Sequence, residues 1–131
     1  TRFIATKESD FSEGYKRAAV EKGDRDTIVS SGGFGPIRIL KNKYSMRVQE
    51  ALDSVPGTFE SKFTNPKVVE SKRVSWAASY VRGDTENAPV LIGETIAGIH
   101  DIPTVKELVD RIINEAVEII RKKLPTFVVK K

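Results

Sequence analysis

The chain has 131 residues, of which 39% are hydrophobic and 31% are charged. This balance is typical of a soluble globular domain and excludes a disordered tail, whose apolar content would be too low for a core. The net charge of +4 gives little support to nucleic-acid binding, because the basic residues are spread along the chain without an aromatic RNA-binding signature. A small anionic ligand is equally compatible with this charge.

The sequence contains no cysteine, which excludes a disulfide framework, a zinc–thiolate site and a thiol nucleophile, and makes the cytoplasm the expected compartment. No apolar run approaches the roughly 20 residues that span a membrane, so no membrane partner is expected. His100 is the only histidine, and one histidine cannot make a metal site, so we expect no metal. For His100 we favour a surface or loop position over a general base.

The first residues predict a strand followed by a helix. Phe3-Ile4-Ala5 has the pattern of a short buried strand. Asp10 and Glu13 have the spacing of a capping box, which predicts a helix over residues 11–22. Gly23 is then expected to end this helix in the left-handed conformation.

A glycine-rich stretch, residues 32–35, follows a second extended segment at Thr27-Ile28-Val29. It lacks the Gly-Lys-Ser/Thr of a P-loop, and Arg38 occupies the place of the third Rossmann glycine. We therefore favour a bend into a helix whose first turn accepts Pro36 and which ends near residue 52. Its predicted apolar side consists of Ile37, Leu40, Tyr44, Val48 and Leu52. Its predicted solvated side consists of Arg38, Lys41, Lys43 and Arg47.

A loop over residues 53–64 leads to a second start signal, Asn65-Pro66, which predicts a helix to about residue 81 that Gly83 closes. The side expected to pack carries Val69, Trp76, Ala77 and Tyr80. We interpret Trp76 and Tyr80 as packing residues rather than a stacking platform. Beyond Gly83, small residues mark places where a backbone or a ligand can approach closely: Gly93, Ala97 and Gly98.

The last helix has the clearest pattern. Thr104 and Glu107 form a capping box behind Pro103. A continuous apolar stripe follows, made of Val105, Leu108, Val109, Ile112, Ile113, Ala116, Val117, Ile120 and Leu124. Neither this stripe nor a lone strand has enough partners in this chain. Because the chain opens at Thr1 without a methionine, we expect those partners in upstream sequence or in another chain.

Residues 1–9, Thr-Arg-Phe-Ile-Ala-Thr-Lys-Glu-Ser, resemble the Gly-Thr-x-Phe-x-x-Thr-x-Glu-Ser stretch of the nitronate monooxygenase (2-nitropropane dioxygenase) family and of related flavin-dependent enoyl-acyl-carrier-protein reductases. The resemblance continues through residues 14–42, which match a Tyr-Lys helix, an Asp-Thr strand and an Arg followed by Asn. Residues 83–99 are similar to the family's Gly-Asp and Gly-Gln-x-Ala-Gly pattern. Three patches in the same order are more specific than any one of them.

This resemblance implies a mainly α-helical fragment with one or two short strands, the C-terminal part of an FMN-binding (β/α)₈ TIM barrel. Residues 1–10 would be the last barrel strand and the following loop, and residues 11–103 a small helical lid domain. Residues 104–131 would be the C-terminal helix that packs on the barrel, with its tail. Thr1 would contact the FMN phosphate. The candidate pocket or lid positions are Gly32, Gly33, Gly93 and Glu94.

The resemblance also implies a flavoprotein oxidoreductase that oxidises alkyl nitronates with O₂. The implied partners are a small-molecule substrate, O₂, the remainder of the barrel and a further copy of the chain. Glu94 stands where the family pattern has Gln, and the family's catalytic histidine lies upstream, so no catalytic residue is assigned here. We expect this segment alone to be inactive.

Two alternatives remain. A flavin-dependent enoyl-thioester reductase or an NAD(P)H:quinone reductase would share the barrel and the flavin. A stand-alone helical interaction domain, which would use the apolar stripe to bind a partner, belongs to a different class.

Overall fold

The computed structural model describes residues 1–32 and 35–127. Within these ranges the fold is mainly helical with two antiparallel strands, which confirms the predicted fold class. The helices are α1 (Glu13–Glu21), α2 (Lys43–Asp53), α3 (Phe59–Lys62), α4 (Pro66–Ser71), α5 (Ala77–Tyr80), α6 (Val105–Glu118) and α7 (Leu124–Phe127). The strands are β1 (Thr27–Ser31) and β2 (Pro36–Leu40). Helical turns of 3₁₀ or π geometry lie at Asp24–Asp26, Glu94–Gly98 and Ile119–Lys123.

The two strands form a hairpin around the glycine-rich stretch. Their register pairs Thr27 with Leu40 and Ser31 with Pro36. The extended segment predicted at residues 27–29 is confirmed, whereas the helix predicted to begin at Pro36 is wrong over β2. A lone β1 would leave its backbone N–H and C=O groups unpaired, and β2 supplies the partners.

Strand β2 also fits the core better than a helix would. Ile37 and Ile39 alternate with Arg38, so they lie on one face of the hairpin and pack into an apolar cluster with α2 and α4. The apolar residues with three- and four-residue spacing therefore belong to two elements: Ile37 and Leu40 lie in strand β2, and Tyr44, Val48 and Leu52 lie in helix α2. Arg38 and Lys41 therefore do not share a helical face with Lys43.

Helix α2 begins after Asn42. The Asn42 side-chain oxygen accepts a hydrogen bond from the Ser45 N–H at 2.9 Å, and the Ser45 hydroxyl accepts one from the Asn42 N–H at 2.9 Å. This reciprocal cap sets the start of the helix seven residues later than Pro36 suggested. Tyr44, Val48 and Leu52 are buried as expected.

The N-cap of α1 is Ser12 rather than Asp10. The Ser12 hydroxyl accepts a hydrogen bond from the Tyr15 N–H at 3.3 Å and donates one to the Ser79 carbonyl at 2.9 Å. The same residue thus caps α1 and ties it to α5. Gly23 does not take the left-handed conformation, since its φ is −106° and the helix ends in extended backbone.

The strand predicted at Phe3-Ile4-Ala5 is wrong for this chain, because residues 2–8 form turns and bends. The Ile4 N–H donates to the Thr1 carbonyl at 3.0 Å, and the Phe3 side chain is 56% exposed. A strand needs a neighbouring strand to pair its backbone. The sheet formed by the described residues is the β1–β2 hairpin, so this segment satisfies its backbone locally.

The helix predicted from Asn65-Pro66 starts as expected but ends early. Asn65 caps α4 by accepting from the Lys67 N–H at 3.0 Å, and α4 ends at Ser71 rather than near residue 81. Val68, not Val69, faces the core, while Trp76 and Tyr80 are each 40% exposed. The loop predicted over residues 53–64 contains α3.

Gly83 follows α5 in the left-handed region, with a φ of +77°, whereas the sequence predicts only that it closes the helix. It also lies against α1, because a Cβ added to Gly14 would come within 2.7 Å of the Gly83 carbonyl oxygen. Two glycines thus allow a close backbone contact between α1 and the end of α5.

The core has two apolar clusters, one on each side of β2. The first joins the N-terminal turns, α1 and the segment before α6, and contains Ala5, Tyr15, Ala18, Ala19, Leu40, Val90, Ile92, Ile96 and Ile99. The second joins the hairpin to α2 and α4, and contains Ile39, Tyr44, Val48, Ala51, Leu52 and Val68. Ile39 and Leu40 point to opposite faces, so the hairpin connects the two clusters.

Helix α6 has the predicted capping box and an apolar stripe that stays exposed. The Thr104 N–H donates to a Glu107 carboxylate oxygen at 2.7 Å, and the Glu107 N–H donates to the Thr104 hydroxyl at 3.2 Å. Leu108 is buried, but stripe residues beyond it are 37% to 59% exposed: Val109, Ile112, Ile113, Val117, Ile120 and Leu124. Within residues 1–32 and 35–127, nothing covers this stripe.

Candidate functional site

Thr1 and Gly93 are in contact although 92 positions separate them in the chain. The Gly93 N–H donates to the Thr1 hydroxyl oxygen at 3.0 Å, and the hydroxyl keeps its own hydrogen for donation elsewhere. A Cβ on Gly93 would lie 3.4 Å from Thr1 Oγ1, so the missing side chain leaves this position open. We call these two residues the Thr1–Gly93 corner. The structure thus joins two of the predicted site residues.

Arg2 anchors the segment that carries Thr1. Its Nη2 donates to Asp101 Oδ1 at 2.6 Å, and its Nη1 donates to the Asp101 carbonyl at 3.0 Å. The other carboxylate oxygen of Asp101 accepts from Arg111 of α6 at 2.6 Å. The Arg111 hydrogen bond is the main cause that lowers the pKa of Asp101, and the Arg2 hydrogen bond adds to it.

The N-terminal turns are also bonded to the start of α6. The Glu8 carboxylate accepts from the Val105 N–H at 2.9 and 3.1 Å, so a negative charge lies at the positive end of the helix dipole. The Lys7 N–H donates to the Pro103 carbonyl at 2.9 Å. These contacts fix residues 1–8 relative to α6.

Glu94, the next predicted site residue, pairs with Arg38 of β2. Glu94 Oε2 lies 3.6 Å from Arg38 Nη2, and Arg38 Nη1 donates to the Thr27 hydroxyl at 2.9 Å. The carboxylate therefore connects the Thr1–Gly93 corner to the hairpin. The Arg38 side chain is one-third exposed and that of Glu94 two-thirds exposed, so the pair lies at the surface of this chain.

Gly32 lies at the end of β1, in the hairpin connection. Its N–H donates to the Gly35 carbonyl at 2.7 Å, and a Cβ here would come within 2.7 Å of Ile37. Lys72 reaches this connection: its ammonium donates to Ser31 Oγ at 3.1 Å and to the Gly32 carbonyl at 3.3 Å. The same ammonium donates to the Phe63 carbonyl at 3.4 Å. Burial lowers the pKa of Lys72.

Gly32, another of the predicted positions, does not join the corner. Among the described contacts, Gly32 bonds within the hairpin and to Lys72, not to Thr1 or Gly93. Gly33 lies outside the described residues. The glycine-rich stretch thus connects two strands, and the prediction that it bends the chain into a helix is wrong.

His100 is exposed and follows the helical turn at Glu94–Gly98, which confirms the surface or loop interpretation. It lines an open groove of about 460 Å³ between the N-terminal turns and α6. The charged residues that share this groove are Arg2, Asp101, Arg111 and Glu115. Arg2 and Arg111 are both bonded to Asp101, whose carboxylate offsets part of their positive charge.

The Thr1–Gly93 corner fits one side of a phosphate group such as that of FMN. It offers an exposed hydroxyl with a hydrogen to donate, and the missing Cβ of Gly93 gives room beside it. The N–H groups of Gly93 and Gly32 are already bonded within the chain. Further donors to a phosphate must come from outside these residues, and the phosphate contact at Thr1 stays a prediction.

The sequence patterns do not identify three residues that hold this region together. Arg38 falls on the predicted solvated side of a helix, because Ile37 and Leu40 on either side of it also fit a helical period. Asp101 contacts Arg2, which lies 99 positions away in the sequence. Lys72 contacts Ser31 and Gly32, which lie 41 and 40 positions away. No local spacing reveals contacts of this kind. The period-two alternation after an extended segment is the one signal that favours a hairpin.

Within the described part of the chain, no group of three or more His, Cys, Asp or Glu side chains is arranged to hold a metal ion. In the same ranges, no helix has both the length and the apolar character needed to cross a membrane.

The family model described as nitronate monooxygenase matches residues 1–115. No significant match is found among curated protein sequences. Among solved structures, FabK from Thermotoga maritima is 29% identical with a TM-score of 0.76, and the match covers 97% of this chain and 38% of that one. The M276A mutant of the same protein is 27% identical with a TM-score of 0.71, and the match covers 97% and 35% of the two chains.

The enoyl reductase domain of MlnA, from the macrolactin biosynthesis cluster of Bacillus amyloliquefaciens, shares the fold at 14% identity with a TM-score of 0.64. That match covers 95% of this chain and 43% of the other. The chain thus spans 35% to 43% of the length of these structures, and its fold is that of a fragment of a TIM-barrel protein.

Proposed function

Because the chain belongs to the nitronate monooxygenase family, we propose that the whole protein is an FMN-dependent oxidoreductase that oxidises alkyl nitronates with O₂ as electron acceptor. The observation that carries this proposal is the family match over residues 1–115, which includes all three patches of sequence resemblance. FMN, when bound, supplies the redox chemistry, and the protein orients it and shapes the pocket.

The role of this chain is to contribute one phosphate contact and a cover for the pocket. The Thr1 hydroxyl donates to the phosphate, and the Gly93 N–H orients that hydroxyl. Residues 11–103 form the lid over the barrel mouth, and the helix from residue 104 packs on the barrel wall. The exposed apolar stripe of α6 supports this placement, since it needs a surface of comparable area.

The catalytic base is expected upstream of Thr1. The described residues support this expectation, because His100 bonds to no carboxylate there and lies in a groove whose arginines are bonded to Asp101. We therefore expect the isolated 131-residue chain to show no nitronate turnover.

Enoyl-thioester reduction with NAD(P)H is the second candidate. The sequence resemblance extends to flavin-dependent enoyl-acyl-carrier-protein reductases, which supports this candidate. An NAD(P)H:quinone reductase would require the same nicotinamide reductant.

The proposal is tested by anaerobic reduction of the flavin in the full-length protein. An alkyl nitronate is expected to bleach the flavin absorbance rapidly, whereas NADH and NADPH leave it unchanged on the same timescale. Rapid bleaching by NAD(P)H without bleaching by nitronate would favour the second candidate. A purified protein that neither contains nor binds flavin would contradict both.

A further inference from the structure

We propose that Arg38 is a positioning residue for the FMN phosphate, which acts by pairing with Glu94 and offsetting the negative charge beside the Thr1–Gly93 corner. The inference rests on the proposed function, because it concerns the phosphate of a bound FMN. Arg38 itself is not assigned a contact with the cofactor.

The first step is the location of Glu94. It directly follows Gly93, whose N–H holds the Thr1 hydroxyl at 3.0 Å. A carboxylate so close in the chain to a phosphate contact opposes binding of the phosphate through like-charge repulsion.

The second step is the guanidinium that faces this carboxylate. Arg38 Nη2 lies 3.6 Å from Glu94 Oε2, and arginine stays charged at any working pH. The pair is therefore neutral overall, and it leaves the corner without a net negative neighbour from Glu94. At 3.6 Å the two side chains are too far apart for a hydrogen bond, so Arg38 acts on Glu94 mainly by offsetting its negative charge.

The third step is the rigidity of the Arg38 side. Arg38 lies on β2, where the backbone is paired with Val29 of β1. Its Nη1 donates to the Thr27 hydroxyl at 2.9 Å, and that hydroxyl in turn donates to the Asp24 carbonyl at 3.0 Å. The hairpin thus holds the guanidinium in place, whereas Glu94 begins a short helical turn with an exposed side chain.

The inference is tested by FMN binding to the full-length protein after removal of its flavin. Dissociation constants for FMN and for riboflavin, which lacks the phosphate, are measured for Arg38→Gln, Glu94→Gln and the double variant. Because partly exposed ion pairs have small energies, Arg38→Gln is expected to weaken FMN binding by about two- to fivefold. Glu94→Gln is expected to bind FMN at least as tightly as the wild type. The double variant, which is neutral like the ion pair it replaces, is expected to match the wild type.

Two controls separate this charge effect from a structural role of Arg38. Arg38→Lys keeps the charge and is expected to keep FMN affinity near that of the wild type. Riboflavin affinity is expected to be the same in all variants, and the loss in Arg38→Gln is expected to shrink in high salt. Thermal unfolding of each apo variant shows whether the hairpin is intact.

Equal weakening of FMN in Arg38→Gln and in the double variant would overturn the inference, as would a parallel loss of riboflavin affinity. Unchanged FMN affinity in Arg38→Gln would overturn it as well. If Arg38→Gln does not fold, the FMN affinities of Arg38→Lys and Glu94→Gln test the inference instead. Weaker FMN binding in Glu94→Gln, or in a folded Arg38→Lys, would contradict it. A wild-type protein that binds no FMN fails the proposed function itself, whereas a wild type that binds FMN without this coupling fails only the inference.

Discussion

Arg2 binds Asp101 twice, through the carboxylate at 2.6 Å and through the backbone carbonyl at 3.0 Å. Since Arg111 of α6 donates to the second carboxylate oxygen, Asp101 joins the residue next to Thr1 to the last long helix. The position of the Thr1–Gly93 corner therefore depends on the contact between Arg2 and Asp101, two residues that are 99 positions apart in the chain.

Replacing Asp101 with Asn is expected to reduce the acid sensitivity of the protein. The folded-state pKa of Asp101 lies below its ordinary value of 3.8, chiefly through Arg111 and then Arg2. The ionised Asp101 carboxylate therefore stabilises the fold fully at a pH above its ordinary pKa, and this stabilisation is lost as the pH falls through the lowered pKa. Because the carboxylate is partly exposed, we expect a loss of about 1 kcal/mol or less at neutral pH.

Urea unfolding of Asp101→Asn and of the wild type, measured from pH 7 to pH 2, gives the difference between their free energies of unfolding at each pH. The two stabilities are expected to converge at the acid end. A gap that stays constant over the whole range would show that Asp101 acts without its charge.

Thr1→Val is expected to weaken FMN binding to the full-length protein, because it removes the hydroxyl and leaves the Gly93 N–H without its acceptor. Loss of one hydrogen bond to a charged group corresponds to about 1.5–3 kcal/mol, or roughly ten- to a hundredfold in the dissociation constant. Thr1→Ser keeps the hydroxyl and serves as the matched control. Similar FMN affinity in both variants would remove Thr1 from the phosphate site.

Lys72→Met is expected to destabilise the hairpin connection. It removes the donor to Ser31, Gly32 and Phe63, and unsatisfied acceptors cost about 1–3 kcal/mol when buried. Because burial lowers the folded-state pKa of Lys72 from 10.5, the unfolded chain holds the proton more tightly. Stability therefore rises with pH between the lowered pKa and 10.5, and this rise should be absent from Lys72→Met.

Chemical denaturation of Lys72→Met and Lys72→Arg over alkaline pH tests this relation. The arginine variant keeps a charged donor and should lose less stability at neutral pH. Wild-type stability that falls relative to Lys72→Met across the same window would contradict the burial of this ammonium.

Ile112→Ala tests whether the apolar stripe of α6 is covered in the full-length protein. If the stripe packs on a barrel, truncation of a covered isoleucine is expected to cost about 2–5 kcal/mol. Asn114→Ala lies on the opposite side of the helix and should stay within about 0.5 kcal/mol of the wild type. Equal, small effects of both substitutions would show that the stripe is exposed to solvent.

The helical content of the chain and several of its boundaries could be predicted from the sequence because they depend on local chemistry. The capping box of Thr104 and Glu107 and the Asn65-Pro66 start are each decided within a few residues. The exposed stripe of α6 also follows from its pattern, since the chain has too few elements to cover it.

The hairpin could not be predicted from the same local rules. Ile37 and Leu40 fit a helical period, whereas the alternation of Ile37, Arg38 and Ile39 fits a strand. Pairing with β1 decides in favour of the strand at residues 36–40. Ser12 replaced Asp10 as a cap because α5 holds its hydroxyl, which is a contact between distant parts of the chain.

The family resemblance predicts three residues of the site: Thr1, Gly93 and Glu94. It does not predict the contacts that join these residues to the rest of the chain. The Glu94 to Arg38 ion pair and the Asp101 bridge join segments far apart in sequence. Such contacts depend on the tertiary fold, so neither spacing nor composition could reveal them.

We propose that the full-length protein oxidises alkyl nitronates. The initial rate of O₂ consumption with an alkyl nitronate tests it most directly, compared with the rate of NAD(P)H oxidation in the presence of an enoyl thioester. We predict nitronate-dependent O₂ uptake that requires bound FMN, together with negligible NAD(P)H oxidation. Enoyl-thioester-dependent NAD(P)H oxidation without nitronate-dependent O₂ uptake would contradict the account.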